Sequence, residues 1–510
     1  MKLKLPASEK PLKVLFVGSE AAPFAKVGGL GEVLRALPRA MRELGCDARV
    51  FVPKYASMDQ EKFPVKLHME RLRVAPKEED PNGLLVSNIM IHTGDEKGIT
   101  YFLENMECFE KRANVYGYAD DTMRWVLLSR CAIEFVKRSK WKPDFIIASD
   151  WQTGFIPDLL KTEYAEDEDL NGISSIFCIH NLRYQGTFDP SFVPEMDADF
   201  GRKPIPPFFT DMNFLNGMRR GILYADEVVT VSPTYAQEIT TEEYGEGLEG
   251  ILQERRENLV GIMNGIDAER FDPATDTQIT SRYSGRHLAG RAKNKAALQR
   301  LFGLKEDENT MLIAMNGRLS EQKGFALLES TMQPLLDNLA FQFVLLGDGD
   351  SKYKKFFKEL SEKYPDRVSV HLEYDDKIPR MIYAGADAIL IPSRFEPSGL
   401  VQLEAMRYGC IPIVRRTGGL ADTVEDFDPH HGKGTGFVFA PFDPNALLIT
   451  IVRAHESYRN KGEWEHLIER AMAQDFSWKN SARKYIALGR RLKRSGEIEK
   501  EPVGRVPVPQ

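Results

Sequence analysis

The sequence predicts an α/β protein built from two doubly wound domains, and three observations carry that prediction. Short β-branched apolar runs alternate with helical stretches along the chain. The runs are continuous rather than alternating, as expected of strands covered by helices on both faces. A chain of 510 residues also exceeds one ordinary core, since domains run to about 100–200 residues.

In the first half the runs are 12–17, 48–52, 99–103, 145–148, 175–179 and 227–231. In the second they are Met311–Met315, Phe341–Leu346, Val368–Leu372, Ala388–Ile391, Ile411–Val414 and Gly436–Phe439. Apolar periodicity predicts helices between them, such as Thr122–Ser139 and Ser351–Lys363. The turn-forming Asn264-Gly265-Ile266-Asp267, followed by the polar stretch Asp272–Asn294, divides the chain into 1–262 and 263–476. A last helix is expected over 477–495, clearest from Ser477 to Lys493. The remainder, 496–510, reads as a loose tail, its final ten residues holding three prolines and little to bury.

A hydrophobic fraction of 42% with 28% charged residues is that of a soluble globular protein. The net charge of -7 argues against a general nucleic-acid or anionic-membrane surface, so any anion site must be local. Cys46, Cys108, Cys131, Cys178 and Cys410 lack zinc or disulfide-framework spacing and read as free thiols in a reducing compartment. The apolar run ending at Gly18 is too short for a signal core or a membrane span, which predicts a cytoplasmic protein. No metal site is expected, because His430-His431 lacks the helical spacing and carboxylate of a zinc site.

Gly-Gly-Leu occurs twice: in Lys26-Val27-Gly28-Gly29-Leu30 after the first apolar run, and in Arg416-Thr417-Gly418-Gly419-Leu420 after Ile411–Val414. Glycine pairs at strand-to-helix junctions let the backbone approach a ligand, and the helix beyond offers unpaired N–H groups to an anion. Tight turns use glycine for their own sake as well. In open α/β sheets ligands bind beyond the carboxyl ends of the strands, so polar residues there are candidates. After Ala388–Ile391, a loop carries Glu396, Ser398 and Gly399 begin a helix, and Glu404 lies on it. The carboxylates can accept hydrogen bonds from hydroxyls, although Glu396 also reads as an exposed loop acid. Arg318 and Lys323 flank the turn after Met311–Met315, either as a cation pair for a departing diphosphate or as a solvated face. Asp150 and His180 end two strands of the first half, where capping or packing roles are the alternative.

Taken together these residues resemble bacterial glycogen synthase and plant starch synthase, retaining glucosyltransferases that use ADP-glucose. The resemblance runs from about Val14 to Tyr485. It rests on Lys26–Leu30, Ser149-Asp150-Trp151, His180-Asn181-Leu182, Thr230–Tyr235, Met263–Asp267, Gly317-Arg318-Leu319 with Gln322-Lys323-Gly324, Ser393–Leu400 and Arg416–Leu420. It implies the GT-B fold, two Rossmann-like domains facing across a deep cleft, with no cofactor and no catalytic metal. The final helix would cross back to the first domain.

Residue by residue, the resemblance implies that Lys26, Gly28 and Gly29 hold the diphosphate and distal glucose, while Arg318 and Lys323 neutralise departing ADP. Glu396 would bind glucose hydroxyls and balance charge at the anomeric carbon. His180 would bind the sugar and present its carbonyl there. Ser398, Gly399, Leu400, Thr417, Gly418 and Gly419 would bind phosphate and sugar through N–H groups; Glu32, Asp150, Asn181 and Asn264 would line the donor and acceptor sides. The reaction would move glucose from ADP-glucose to the non-reducing end of glycogen or another α-1,4-glucan, with retention. Gln152, Arg183, the segment Asn213–Gly221 and Phe271 depart from the usual pattern, all on the acceptor side or cleft rim. A retaining GT-B enzyme with a small acceptor, or an inactive glucan-binding scaffold, would share much of this pattern. The full set Lys26, His180, Arg318, Lys323 and Glu396 argues against the scaffold, since such charges are costly to keep without a ligand.

Overall fold

The computed structural model describes residues 10–498, apart from 76, 95–97, 187–189, 374 and 376. Most of the expected tail therefore lies outside the described residues. Two compact units emerge. One takes the described residues up to Val231, then Ala236–Ile262, then those from Trp478 onward; the other takes Ser232–Tyr235 and Met263–Ser477.

The strands of the first unit are β1 (Lys13–Val17), β2 (Asp47–Pro53), β3 (Lys66–Leu72), β4 (Ser87–Thr93), β5 (Ile99–Glu104), β6 (Phe145–Ser149), β7 (Ser174–Ile179), β8 (Glu227–Thr230) and β9 (Leu259–Gly261). They form a nine-stranded sheet in the order β3-β4-β5-β2-β1-β6-β7-β8-β9. The pairings from β5 to β9 are parallel, while β3 and β4 add an antiparallel edge. That edge and the short β9 were absent from the sequence reading. A search for continuous apolar runs passes over β3, which buries only its last residue, Leu72, fully.

The second unit contains β10 (Met311–Asn316), β11 (Phe341–Leu346), β12 (Val368–His371), β13 (Ala388–Ile391), β14 (Ile411–Arg415) and β15 (Phe437–Phe439). Their order is β12-β11-β10-β13-β14-β15, parallel throughout. Every residue of β11, β13, β14 and β15 is buried, as expected of strands with helices on both faces.

The parallel part of each sheet has one point where sequence order reverses: between β1 and β6 in the first unit, and between β10 and β13 in the second. Diverging chain connections there leave a crevice at the carboxyl ends of the strands. The last helix, Trp478–Ile498, extends past the expected end at 495 and belongs to the first unit, where Trp478, Ala482, Tyr485, Ile486 and Leu488 join the core under β1 and β6.

Candidate active site

In the first unit the carboxyl ends of β1, β6 and β7 bring together the candidates from three distant stretches of sequence. β1 runs into Gly18, where a Cβ would lie 2.5 Å from Leu34 Cδ2, then into buried Ser19 and Glu20. The Ser19 hydroxyl pairs with the Tyr116 hydroxyl at 2.8 Å, and Tyr55 donates to the Ser19 carbonyl at 2.6 Å. The chain then folds back over Glu20 and enters the helix Gly29–Glu43. The Glu20 carboxylate accepts the N–H of Val27 and also that of Gly28, at 3.2 and 3.3 Å to its two oxygens.

At Gly28 this departs from the expectation of open N–H groups at the first Gly-Gly turn. Nature of ligand aside, a carboxylate of the chain itself takes those of Val27 and Gly28. Lys26 is half-exposed, and its Nζ lies 3.7 Å from Glu32 Oε2, whose carboxylate also binds Arg35. Glu32, in the first turn of the helix, therefore tethers the lysine before any substrate arrives.

Asp150 follows β6 with φ 57° and ψ -178°, a positive-φ extended conformation that is unusual for a residue other than glycine. Its N–H donates to the Cys178 carbonyl at 2.8 Å, which ties the end of β6 to β7. Its carboxylate accepts the N–H of His180 at 2.7 Å and that of Asn181 at 3.4 Å. Burial pushes the Asp150 carboxyl up to about 7, against the pull of these two hydrogen bonds. Burial also pulls the His180 imidazole down to about 4, with the Glu20 charge acting the other way. His180 is thus neutral near pH 7, and its Nε2 is buried with no hydrogen-bond partner among the described residues. The Asn181 side chain accepts the Arg183 N–H at 3.1 Å. Gln152 is buried and its Oε1 is likewise unpartnered.

In the second unit the ends of β10, β13 and β14 converge. Lys323 Nζ lies 2.6 Å from Glu396 Oε2, and Ser393 Oγ donates to the same oxygen at 2.9 Å. Glu396 is 7% exposed, so it is no solvated loop acid. Arg318 is exposed and makes no ion pair among the described residues. Asn264 belongs to this unit and is half-buried.

Ser398 and Gly399 were expected to open a helix, but the helix is Val401–Arg407 and the two residues form a turn before it. Gly399 has φ 65°, and the Gln402 amide closes the turn by donating to the carbonyls of Ser398 at 3.0 Å and Gly399 at 2.8 Å. Leu400 caps that helix and Glu404 lies on it, beside Tyr383; burial, followed by the Glu404 charge, pushes the Tyr383 phenol well up.

The second Gly-Gly pair starts the short helix Gly418–Thr423, with Thr417 as its cap. Its N–H groups are engaged as well: Thr417 donates to the Arg415 carbonyl at 3.0 Å and Gly419 to that of Glu396 at 3.0 Å. A Cβ at Gly419 would lie 1.8 Å from the Ser398 oxygen, and one at Gly418 2.1 Å from the Glu396 oxygen. These glycines let two loops touch.

Sequence reading gave no role to Glu20, Ser393 or Gln402, although Ser393 opens one of the motifs. Glu20 had a signal, an acid directly after an apolar strand, while Ser393 and Gln402 show their roles only through contacts. Among the described residues no group of three His, Cys, Asp or Glu could hold a metal ion, and His430 and His431 are exposed. No helix there is long and apolar enough to cross a membrane.

Two family descriptions match the chain: "Starch synthase catalytic domain" over residues 13–254 and "Glycosyl transferases group 1" over residues 299–471. A glycogen synthase of Anaeromyxobacter sp. (strain Fw109-5) is 41% identical, the alignment covering 94% of this chain and 99% of the relative. One from Clostridium beijerinckii is 40% identical over the same shares. Among solved structures, the catalytic domain of starch synthase IV from Arabidopsis thaliana, bound to ADP and acarbose, superposes with a TM-score of 0.81 at 34% identity. That match covers 95% of this chain and all of that one. A sucrose-phosphate synthase from Thermosynechococcus elongatus, 17% identical with a TM-score of 0.58, shares the fold.

Proposed function

The chain belongs to the glycogen and starch synthase family and is a glycosyltransferase, and from that premise we propose that it extends an α-1,4-glucan from ADP-glucose in the cytoplasm. Glucose passes to the 4-hydroxyl at the non-reducing end of the acceptor, and the anomeric configuration is retained.

The observation that carries this reading is the Lys323–Glu396 contact at 2.6 Å, at the strand ends flanking the reversal point of the second sheet. A buried acid paired to a lysine at such a place suits a sugar diphosphate. The carboxylate takes hydroxyls of the glucose and offsets positive charge at its anomeric carbon, while Lys323 and the exposed Arg318 meet the negative charge that grows on departing ADP. The turn Ser398–Leu400 and the cap Thr417–Gly419 fit against each other around Glu396 and shape the donor's surroundings.

From the first unit, Lys26 reaches the diphosphate after exchanging Glu32 for phosphate, a stronger set of acceptors. Neutral His180 contributes its backbone carbonyl and its unpartnered Nε2 to the sugar. Asp150 fixes the His180 and Asn181 backbone, and Asn264 serves the donor side. No side chain is assigned as a covalent nucleophile, so the leaving phosphate accepts the acceptor's proton as the new bond forms on the same face.

The test is ADP release by the purified chain given ADP-glucose or UDP-glucose, with glycogen or a short maltooligosaccharide as acceptor. ADP-glucose should support elongation that product sizing shows as longer glucan. Release of no ADP, or a disaccharide product, would remove this reading. Glu396→Ala and Lys323→Ala should each lower kcat by about 100- to 1,000-fold, the usual loss when a group that stabilises transition-state charge is removed, while glycogen binding survives.

A further inference from the structure

Glu20 is an acid that the mechanism above leaves without a task. Its carboxylate lies beneath the loop Lys26–Gly29, only 2% exposed, and binds the backbone N–H groups of Val27 and Gly28. No cation pairs with it among the described residues. The packing is close: a Cβ added at Gly31 would lie 3.3 Å from Glu20 Oε2 and 3.3 Å from the Ala25 carbonyl. Tyr116 and His180 both feel this charge. Burial and then Glu20 push the Tyr116 phenol up, and Glu20 opposes the burial that keeps His180 neutral.

N–H groups at a helix start attract an anion, and here the resident anion is a side chain of the chain itself. A carboxylate buried without a cation needs such donors, and the loop needs an acceptor for them. Each fixes the other. Resting on the assignment of Lys26 to the donor, we propose that Glu20 is a positioning residue for glucosyl transfer. By holding the N–H groups of Val27 and Gly28, it sets the backbone from which Lys26 reaches the donor. The diphosphate then meets the lysine side chain, and those two N–H groups stay with Glu20 throughout the reaction.

The experiment compares the full chain with Glu20→Ala and Glu20→Gln, reading ADP release, thermal melting and hydrogen exchange at the Val27 and Gly28 amides. Glu20→Ala should lose about 100-fold in kcat/KM, the scale of a misplaced catalytic side chain. Glu20→Gln keeps an acceptor for the N–H groups and should recover most of that loss. Formate should raise the Ala variant's rate about tenfold by supplying the missing carboxylate to the N–H groups, while chloride at equal ionic strength does not.

A variant that is merely less stable would gain nothing from formate. The proposal fails if Glu20→Ala stays within about threefold of wild type, given that a lost charge-assisted contact reads larger. It also fails if neither glutamine nor formate recovers activity. A wild-type chain that released no ADP would sink the functional reading instead. Amide exchange separates the two, since Val27 and Gly28 should exchange faster in the Ala variant whether or not the chain turns over, and unchanged exchange would dismiss the latch.

Discussion

Asp150 combines two costs in one residue, a positive-φ backbone and a buried carboxyl, and both are met by Cys178 on β7 and by His180 and Asn181 just beyond it. Its acidity makes a prediction with a definite sign. In the folded chain the carboxyl is pushed up to about 7, well above its ordinary range, so the folded state holds the proton more tightly than the unfolded chain. That contribution to stability is complete below the ordinary carboxylate range and is lost as pH rises through about 7. Melting temperature should therefore fall over this window, and fall less in Asp150→Asn. Asparagine is close to aspartate in shape and keeps an acceptor for the His180 N–H.

Activity should run the other way, because the ionised carboxylate holds the His180 and Asn181 N–H groups best. A limb of kcat/KM rising through pH about 7 should flatten in the Asn variant. An unchanged limb would assign that titration to another group. His180 adds no step there, being neutral until pH about 4.

At the scale of elements, the parallel strands were legible because burial on both faces writes them as unbroken apolar runs. The antiparallel edge β3–β4 was not, since β3 is exposed along most of its length and β4 is fully buried only at Ser87 and Ile89, so neither is written as an unbroken apolar run. Strand ends named most of the candidates, because topology alone places them there. What hid was the wiring of the loops. Both Gly-Gly turns read as open cradles, yet Val27, Gly28 and Gly419 give their N–H groups to Glu20 and to the Glu396 carbonyl. Glu20 lies within eight residues of its donors and Glu396 lies 23 before Gly419, but neither spacing has a helical or strand period that would mark the contact.

The two glycine pairs also differ in what they exclude, and this separates fold from function. A Cβ at Gly29 would meet nothing within 4 Å, whereas one at Gly419 would lie 1.8 Å from the Ser398 oxygen. Gly419→Ala should cost about 1–3 kcal/mol or more of stability, as overpacking does. Gly29→Ala, at the start of a helix, should leave stability level or raise it by up to about 1 kcal/mol. If Gly29→Ala nonetheless raises KM for ADP-glucose, the empty space belongs to the substrate. Denaturant melts beside steady-state kinetics give both answers, and equal destabilisation by the two variants would contradict the packing argument.

The largest-scale feature is that the first unit is not one stretch of chain. Its sheet is finished by the helix Trp478–Ile498, which arrives after the whole second unit has been made. Tyr485 reaches Cys178 at 3.5 Å, and a Cβ at Gly489 would lie 2.3 Å from the Phe145 ring, so this helix sits against β6 and β7, the strands that present Asp150 and His180. Ion pairs at its rim, Lys479–Glu43 and Lys493–Asp144, both at 2.9 Å, are more exposed.

Burial rather than charge should therefore hold the helix down. Tyr485→Ala, at 2% exposure, should cost about 3–5 kcal/mol, the range for a large buried side chain. Lys479→Ala should cost less than about 1 kcal/mol, as exposed pairs do. Hydrogen exchange locates the damage: in Tyr485→Ala the amides of β6 and β7 should exchange faster while those of β10 and β13 keep their protection. Transfer should weaken with them, since Asp150 and His180 stand at the ends of the loosened strands. If β10 and β13 loosened equally, the helix would be a support of the whole chain, and the first unit's claim to it would fall.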